Sequence, residues 1–420
     1  MGLFFDFVLL CYVVAVVPFL VFQGKWHGGF AQRFGFLPRE LRRQLAEKKN
    51  IWLHAVSVGE VLALEAILER LRLAYPGIRI VLTVTTKSGH GLAVERYAGR
   101  ALVLWSPLDF QLTVRTFVRA IHPLVYLAAE TELWPNLFDC LAARNIPVLV
   151  LNGRISDKAY PAYKLVRPVL KRMLGQVSCF AMQSDLDSRR IVELGAPQDR
   201  VFCTGNVKFD NTPKEVALPS GHASFSGRLW VAGSTHPGEE EIILNVFSRL
   251  SICYSDLRLV LAPRHPERSS AVAALVARQG LEPLLLSTRD TLPGCAREVL
   301  ILDRIGCLLS FYAAADLVFV GKSLTVRGGH NIIEPATFAR PVLVGPYMDN
   351  FRDIIRLFLD GQAIIQVKDQ QELFESMTQL LEQPDKALDL GRRARAVVFS
   401  GKGALDTMFA MIRKVIDERA

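Results

Sequence analysis

Short, nearly continuous apolar runs recur along this chain at helix-length intervals. In the first half they fall at residues 51–56, 78–84, 102–104, 124–127, 147–151, 177–182 and 201–203. Runs of this length without polar alternation fit strands buried on both faces. Between them the apolar positions take a helical stripe, as at Leu62, Leu64, Ile67, Leu68 and Leu71. A second series occupies 229–233, 257–261, 283–286, 299–302, 317–320 and 341–345. Strands alternating with helices predict parallel, doubly wound sheets of the α/β class. Residues 211–228 lose the periodicity and hold Pro213, Pro219, Ser220, Gly221 and Gly227, a linker composition. Amphipathic spacing predicts three closing helices, at about 371–382, 386–399 and 404–416.

A chain of 420 residues is too long for one ordinary core. The pattern divides it into 1–24, an N-terminal domain 25–210, the linker 211–228, a C-terminal domain 229–400 and a last helix, 401–420. A return of that helix to the N-terminal domain is one option. Two Rossmann-like domains facing each other across a cleft is the simplest architecture. Residues 3–22 are almost wholly apolar, broken only by Asp6 and Pro18, and about twenty such residues match a bilayer core. No basic start or small-residue cleavage site marks a leader peptide. Lys25, Arg33, Arg39, Arg42, Arg43, Lys48 and Lys49 follow, which places the body on the cytoplasmic side of a transmembrane anchor. A buried core helix is the alternative. Trp26, Phe30, Phe34 and Phe36 alternate with basic residues here, as in an interfacial segment or in a helix docked on the first domain.

The formal charge of +9 favours anionic partners. Nucleic acid is disfavoured: the domain body lacks an interleaved aromatic RNA-binding motif, and much of the excess lies beside the apolar stretch. Seven cysteines without a C-x-x-C pair, and eight histidines without H-x-H or H-x-x-x-H spacing, indicate neither a disulfide framework nor a metal site.

Candidate chemistry sits where glycine and proline end the strands, the usual ligand edge of an open parallel sheet. Gly321-Lys322-Ser323-Leu324 and then Arg327-Gly328-Gly329-His330-Asn331-Ile332-Ile333-Glu334 read as a glycine-rich loop presenting backbone N–H groups to a phosphate. Glu334 is then placed for a ribose diol. A plain β–α turn is the alternative. Ser234 and Thr235 are hydroxyl donors or helix caps, and Arg264 is a phosphate fork or a surface ion-pair partner. Ser57-x-x-Glu60 has the spacing of a capping box. Glu130 precedes an apolar helix whose dipole it would favour, and Lys208 precedes the linker as a solvated charge or a site residue.

Six stretches together resemble the 3-deoxy-D-manno-octulosonic acid (Kdo) transferases of lipopolysaccharide synthesis. They are His54-Ala55-Val56-Ser57-Val58-Gly59-Glu60, Glu130-Thr131-Glu132-Leu133-Trp134-Pro135-Asn136, Gly205-Asn206-Val207-Lys208-Phe209-Asp210, Ala232-Gly233-Ser234-Thr235-His236, Ala262-Pro263-Arg264-His265-Pro266-Glu267-Arg268 and Gly328-Gly329-His330-Asn331-Ile332-Ile333-Glu334-Pro335. They occur in family order and span nearly the whole chain. The resemblance implies a GT-B glycosyltransferase moving Kdo from CMP-Kdo to a lipid A precursor (lipid IVA) at the inner membrane, with inversion and without a metal or other cofactor. It implies Glu60 as general base and Glu130 and Lys208 as transition-state stabilisers. It implies a CMP site at Pro263, Arg264, Gly306, Cys307, Leu308, Asn331, Ile332, Ile333 and Glu334, with Ser234 and Thr235 beside it. One departure is plain: the family usually has Gly-Glu-Leu where this chain has Gly306-Cys307-Leu308. Other readings are a GT-B enzyme using a UDP-sugar, or a membrane-anchored nucleotide-sugar-binding protein without catalysis.

Overall fold

The computed structural model describes residues 6, 10–11, 29–212, 216–219, 227–289 and 292–419. They fall into two compact units, one within Met1–Asn211 and Lys402–Ala420, the other within Thr212–Gly401.

The first unit carries β1 (Asn50–Ala55), β2 (Arg79–Val84), β3 (Leu102–Trp105), β4 (Pro123–Ala129), β5 (Val148–Gly153), β6 (Cys179–Met182) and β7 (Val201–Cys203). They form one parallel sheet in the order β3-β2-β1-β4-β5-β6-β7. Trp52 of β1 lies between Val81 of β2 and Tyr126 of β4 and enters one core cluster. Its neighbours Ile51, Leu53 and Ala55 enter the cluster on the opposite face. Covering both faces is why the strands read as apolar runs rather than alternations. Helix Ala404–Asp417 completes the second face with Leu405, Met408, Ile412 and Ile416. Its start is tied to Asp210, whose carboxylate accepts from Gly403 N and Leu405 N, both at 2.8 Å.

The second unit carries β8 (Arg228–Thr235), β9 (Leu257–Pro263), β10 (Glu282–Leu285), β11 (Glu298–Ile301), β12 (Leu317–Val320), β13 (Val342–Val344) and β14 (Ile365–Gln366). This sheet is also parallel, in the order β10-β11-β9-β8-β12-β13-β14. Strand β14, two residues long, was not legible in the sequence because a periodicity needs more positions than it has. The other two closing helices run Gln370–Glu382 and Pro384–Ser400, within two residues of expectation. In each sheet the chain reverses direction of growth at one place, between β1 and β4 and between β8 and β12. Loops diverge there at the carboxyl ends, which opens room for a ligand.

The expected membrane anchor lies outside the described residues except for Asp6, Leu10 and Cys11. No described helix is long and apolar enough to cross a membrane. Asp6 accepts hydrogen bonds from Asn136 Nδ2 at 2.7 Å and Gln111 N at 3.3 Å. The basic, aromatic segment that follows docks, where described, on the first unit. Phe30 and Leu37 are buried, Phe34 stacks on Phe110, and Arg33 Nε donates to Ser106 O at 3.2 Å.

Asp210→Ala removes both acceptors at the start of helix Ala404–Asp417. The expected cost is about 0.5–2 kcal/mol of first-unit stability in denaturant titration, as for loss of a helix cap, with earlier proteolytic trimming of that helix.

Candidate functional site

In the first unit, the chain leaves β1 at Ala55 and passes through an extended Ser57 into helix Val58–Ala63. Glu60, in the first turn, reaches back so that Val56 N donates to Oε2 at 2.6 Å and Ser57 Oγ to Oε1 at 2.9 Å. Only half of a capping box is formed. The Ser57 side chain accepts no cap bond and spends its hydroxyl on the carboxylate instead. Glu60 is 7% exposed. Burial raises its pKa, the two donors oppose that, and the nearby Glu130 carboxylate raises it further.

Glu130 follows β4 in a left-handed conformation (φ 54°), unusual for a side chain with a Cβ. Its N–H donates to Leu151 O at 2.8 Å, which fixes the turn. Lys208 lies in the 3-10 turn Val207–Phe209, held by Asn206 Oδ1 on Lys208 N and Asn152 Oδ1 on Val207 N. Burial lowers the Lys208 pKa; Glu130 and Glu60 pull it back up, and Arg154 pushes it down. Residues 60, 130 and 208, far apart in the chain, therefore share one electrostatic site at the β1/β4 switch.

Glu132 belongs to the same site, although spacing gave no reason to single it out. Burial, then Glu60 and Glu130, push its pKa up to about 7. It helps line a cavity of about 170 Å³ with Glu130, Thr131, Arg154, Ser156 and Tyr163. Arg154 N donates to Thr131 Oγ1 at 2.9 Å, which pins this loop to the end of β5. His54 is a core residue: burial foremost, then Arg33, holds its pKa down to about 3, so the imidazole is neutral.

In the second unit the glycine-rich loop is not an open phosphate cradle. Glu239, fully buried, accepts from Lys322 N at 2.7 Å, from Ser323 N and Leu324 N at 2.9 Å, and from His236 N at 3.0 Å. The protein's own carboxylate fills that N–H nest. Thr235 is also fully buried and donates its hydroxyl to Glu240 Oε1 at 3.0 Å, so it is not offered to a ligand. Ser234, partly exposed, has φ 56°.

Pro263 ends β9 and Arg264 follows, exposed, its N–H on Thr235 O at 3.0 Å. Asn331 accepts from Ile333 N at 3.1 Å and donates to Glu334 Oε1 at 3.0 Å. Burial raises the Glu334 pKa, while Asn331 and Arg264 hold it down. Arg264, Asn331 and Glu334 thus form one polar group. Ile332 and Ile333 have buried side chains and can offer only backbone. Gly306 turns with φ 92° before helix Leu308–Ala314, and Cys307 Sγ donates to Arg304 O at 3.2 Å. Beside Arg264 the structure gathers His236, His265 and His330, which the sequence spread over three separate loops. Among the described residues no group of three His, Cys, Asp or Glu side chains is placed to hold a metal ion.

Glu132 binds its proton more tightly folded than unfolded. Stability therefore falls as pH rises from its ordinary pKa of 4.5 to about 7. Glu132→Gln removes that contribution: the variant matches wild type below the window and is more stable above it in thermal unfolding. Asp109, also pushed up to about 7 by burial, leaves a residual slope.

The family model for 3-deoxy-D-manno-octulosonic-acid transferase matches residues 28–211. The 3-deoxy-D-manno-octulosonic acid transferase of Haemophilus influenzae is 31% identical over 399 residues, which cover 94% of this chain and 92% of that protein. The transferase of the same name from Bordetella pertussis is 31% identical, over 91% of this chain and 90% of its own. Among solved structures, a glycosyltransferase from Rickettsia africae aligns with a TM-score of 0.57 at 11% identity, covering 88% of this chain and 99% of its own. A UDP-GlcNAc 2-epimerase from Neisseria meningitidis aligns with a TM-score of 0.56 at 12% identity, covering 86% and 100%. These two share the fold. The two transferases, each 31% identical over most of both chains, together with the family model matched within the first unit, place this chain in the Kdo transferase family of glycosyltransferases.

Proposed function

We propose that this glycosyltransferase moves Kdo from CMP-Kdo to a lipid A precursor, with inversion at the anomeric carbon, during lipopolysaccharide synthesis at the inner membrane. The observation that carries this reading is the constellation of buried Glu60 with the half-buried Glu130 and Lys208 at the switch point of the first sheet.

Glu60 acts as the general base. A base works best with a pKa near the operating pH, and burial moves this carboxylate upward in that direction. Its donors, Val56 N and Ser57 Oγ, hold the carboxylate rigid, so an acceptor hydroxyl meets a fixed geometry. As the hydroxyl attacks, its proton passes to Glu60. Lys208, fixed by Asn152 and Asn206 through the backbone of its turn, supplies positive charge in a poorly solvated place, where such charge acts strongly on a developing anion. Glu130 opposes the lowering that burial imposes on the Lys208 pKa.

The second unit holds the donor. Arg264 forks onto the phosphate. Asn331 and Glu334 present acceptors for the cytidine and its ribose, and the backbone of Gly306, Cys307 and Leu308 lines the same nucleotide. No metal takes part in the step we propose; arginine and lysine carry the charge of the departing phosphate. Cys307 in place of the family glutamate removes one carboxylate from that site.

Glu60→Ala lowers Kdo transfer by about 10²–10⁴-fold, the range for loss of a general base, and leaves the Kd for CMP unchanged. Mass spectrometry of the lipid product, with CMP titration of the same preparation, measures both. Wild-type transfer by Glu60→Ala rejects Glu60 as the base. An unmodified lipid with the wild-type protein, CMP-Kdo and the precursor rejects the reaction itself.

A further inference from the structure

The second unit holds a group of titratable side chains that the mechanism above does not use. His236 Nε2 and His330 Nε2 are 3.1 Å apart, and the rings stack at 5.4 Å with an interplanar angle of 21°. A contact between two ring nitrogens at this distance needs one N–H and one lone pair. The pair therefore carries at most one extra proton while the contact lasts. His265 lies edge-on to His236 at 5.9 Å.

The surroundings are rich in cations. Lys322 and Arg264 face His330, and Lys322, His265 and Arg268 face His236, with Glu240 the carboxylate on that side. Glu240 is already engaged: Arg268 Nη1 lies 2.9 Å from it and Thr235 donates to it. Glu239 is filled by four backbone amides, and Glu334 faces Arg264 and Asn331. Among the described residues, neither the Arg264 guanidinium nor the Lys322 ammonium makes a side-chain hydrogen bond or salt bridge. Lys322 is held in place from below. Its backbone is left-handed (φ 58°), its N–H is on Glu239, and its carbonyl accepts from Gly329 N at 2.7 Å. Its stem passes over Gly328, where a Cβ would sit 3.0 Å from Lys322 Cε.

With no anion bound, this arrangement leaves the histidines neutral; burial, then Arg264, holds His330 down to about 3. An oxyanion placed among Arg264, Lys322 and the pair reverses the field, since an opposite charge favours the protonated imidazole.

We propose that His236, His330 and Lys322 form a proton-coupled oxyanion subsite, in which the His236–His330 pair takes up one proton from solvent as the anion binds and returns it as the anion leaves. The Nε2–H···Nε2 contact then becomes a shared imidazolium, one proton richer, with no other bond made or broken. The inference rests on the donor reading of the second unit and deepens it. The anion is the donor's phosphate or its sugar-acid carboxylate, and these are separable by probe.

Calorimetric titration of the full-length protein with CMP, at pH 7–8 in buffers of different ionisation enthalpy, counts protons directly. Near one proton taken up per CMP, with Kd tightening about tenfold per pH unit as pH falls, is the expected result for phosphate. CMP binding without uptake, followed by uptake when Kdo is titrated in, assigns the carboxylate. CMP binding with uptake from neither ligand overturns the subsite while leaving the donor reading intact. Failure of CMP to bind at all overturns the donor reading, and the subsite with it. His330→Gln and His236→Gln lose the uptake; uptake retained in both, for instance by the CMP phosphate itself, also overturns the proposal. Lys322→Met, which leaves the Nε2–Nε2 contact itself in place, weakens CMP or Kdo binding while keeping some uptake. Should one glutamine variant fail to fold, the other decides, because either substitution breaks the Nε2–Nε2 contact.

Discussion

At the switch point of each of the two sheets a buried glutamate accepts hydrogen bonds from the loop that follows the strand. Glu60 lies in the first turn after β1 and Glu239 in the first turn after β8. Burying a carboxylate is costly unless donors replace the lost water. The two glutamates differ in how completely that is done. Glu239 is fully buried and accepts from four amides drawn from two loops, so it locks the end of β8 to the end of β12. Glu60 accepts from one amide and one hydroxyl and shares its surroundings with Glu130 and Glu132. Fewer donors on Glu60 than on Glu239 suit the base that we propose.

That distinction organises the chemistry of both units. In the first, burial and like-charge neighbours raise the pKa of Glu60 and of Glu132, while Glu130 and Glu60 oppose the lowering that burial imposes on Lys208. In the second, Glu239 takes the loop amides out of play, so in the subsite we propose the anion meets side chains: Arg264, Lys322 and the paired histidines. A glycine-rich loop is thus used here for close approach. Gly329 leaves room for Met348 and Gly345 for the Ser323 carbonyl, where a Cβ would overlap.

Much of this was legible in the chain. Thirteen of the strands appear as apolar runs because both sheet faces are covered, and the closing helices appear as amphipathic stripes. Glu60, Glu130, Lys208 and Arg264 were reachable because each sits at the end of a predicted strand or beside the linker, within a family stretch. The same rule overcounted. Thr235 ends β8 and has the right chemistry, yet its hydroxyl is buried on Glu240. Glu132 was passed over because one residue's spacing from Glu130 says nothing about a shared cavity.

The sequence by itself determined two parallel sheets, their strand ends and the residue types available there, because burial on both faces writes itself into local hydrophobicity. It also carried the family. Only the tertiary structure decided which polar groups are spent on each other. The filling of the Lys322–Leu324 amides by Glu239 and the meeting of His236 with His330 depend on pairings between loops up to 94 residues apart. Hydrogen bonds between such loops are set by strand order and register, and no local pattern records them.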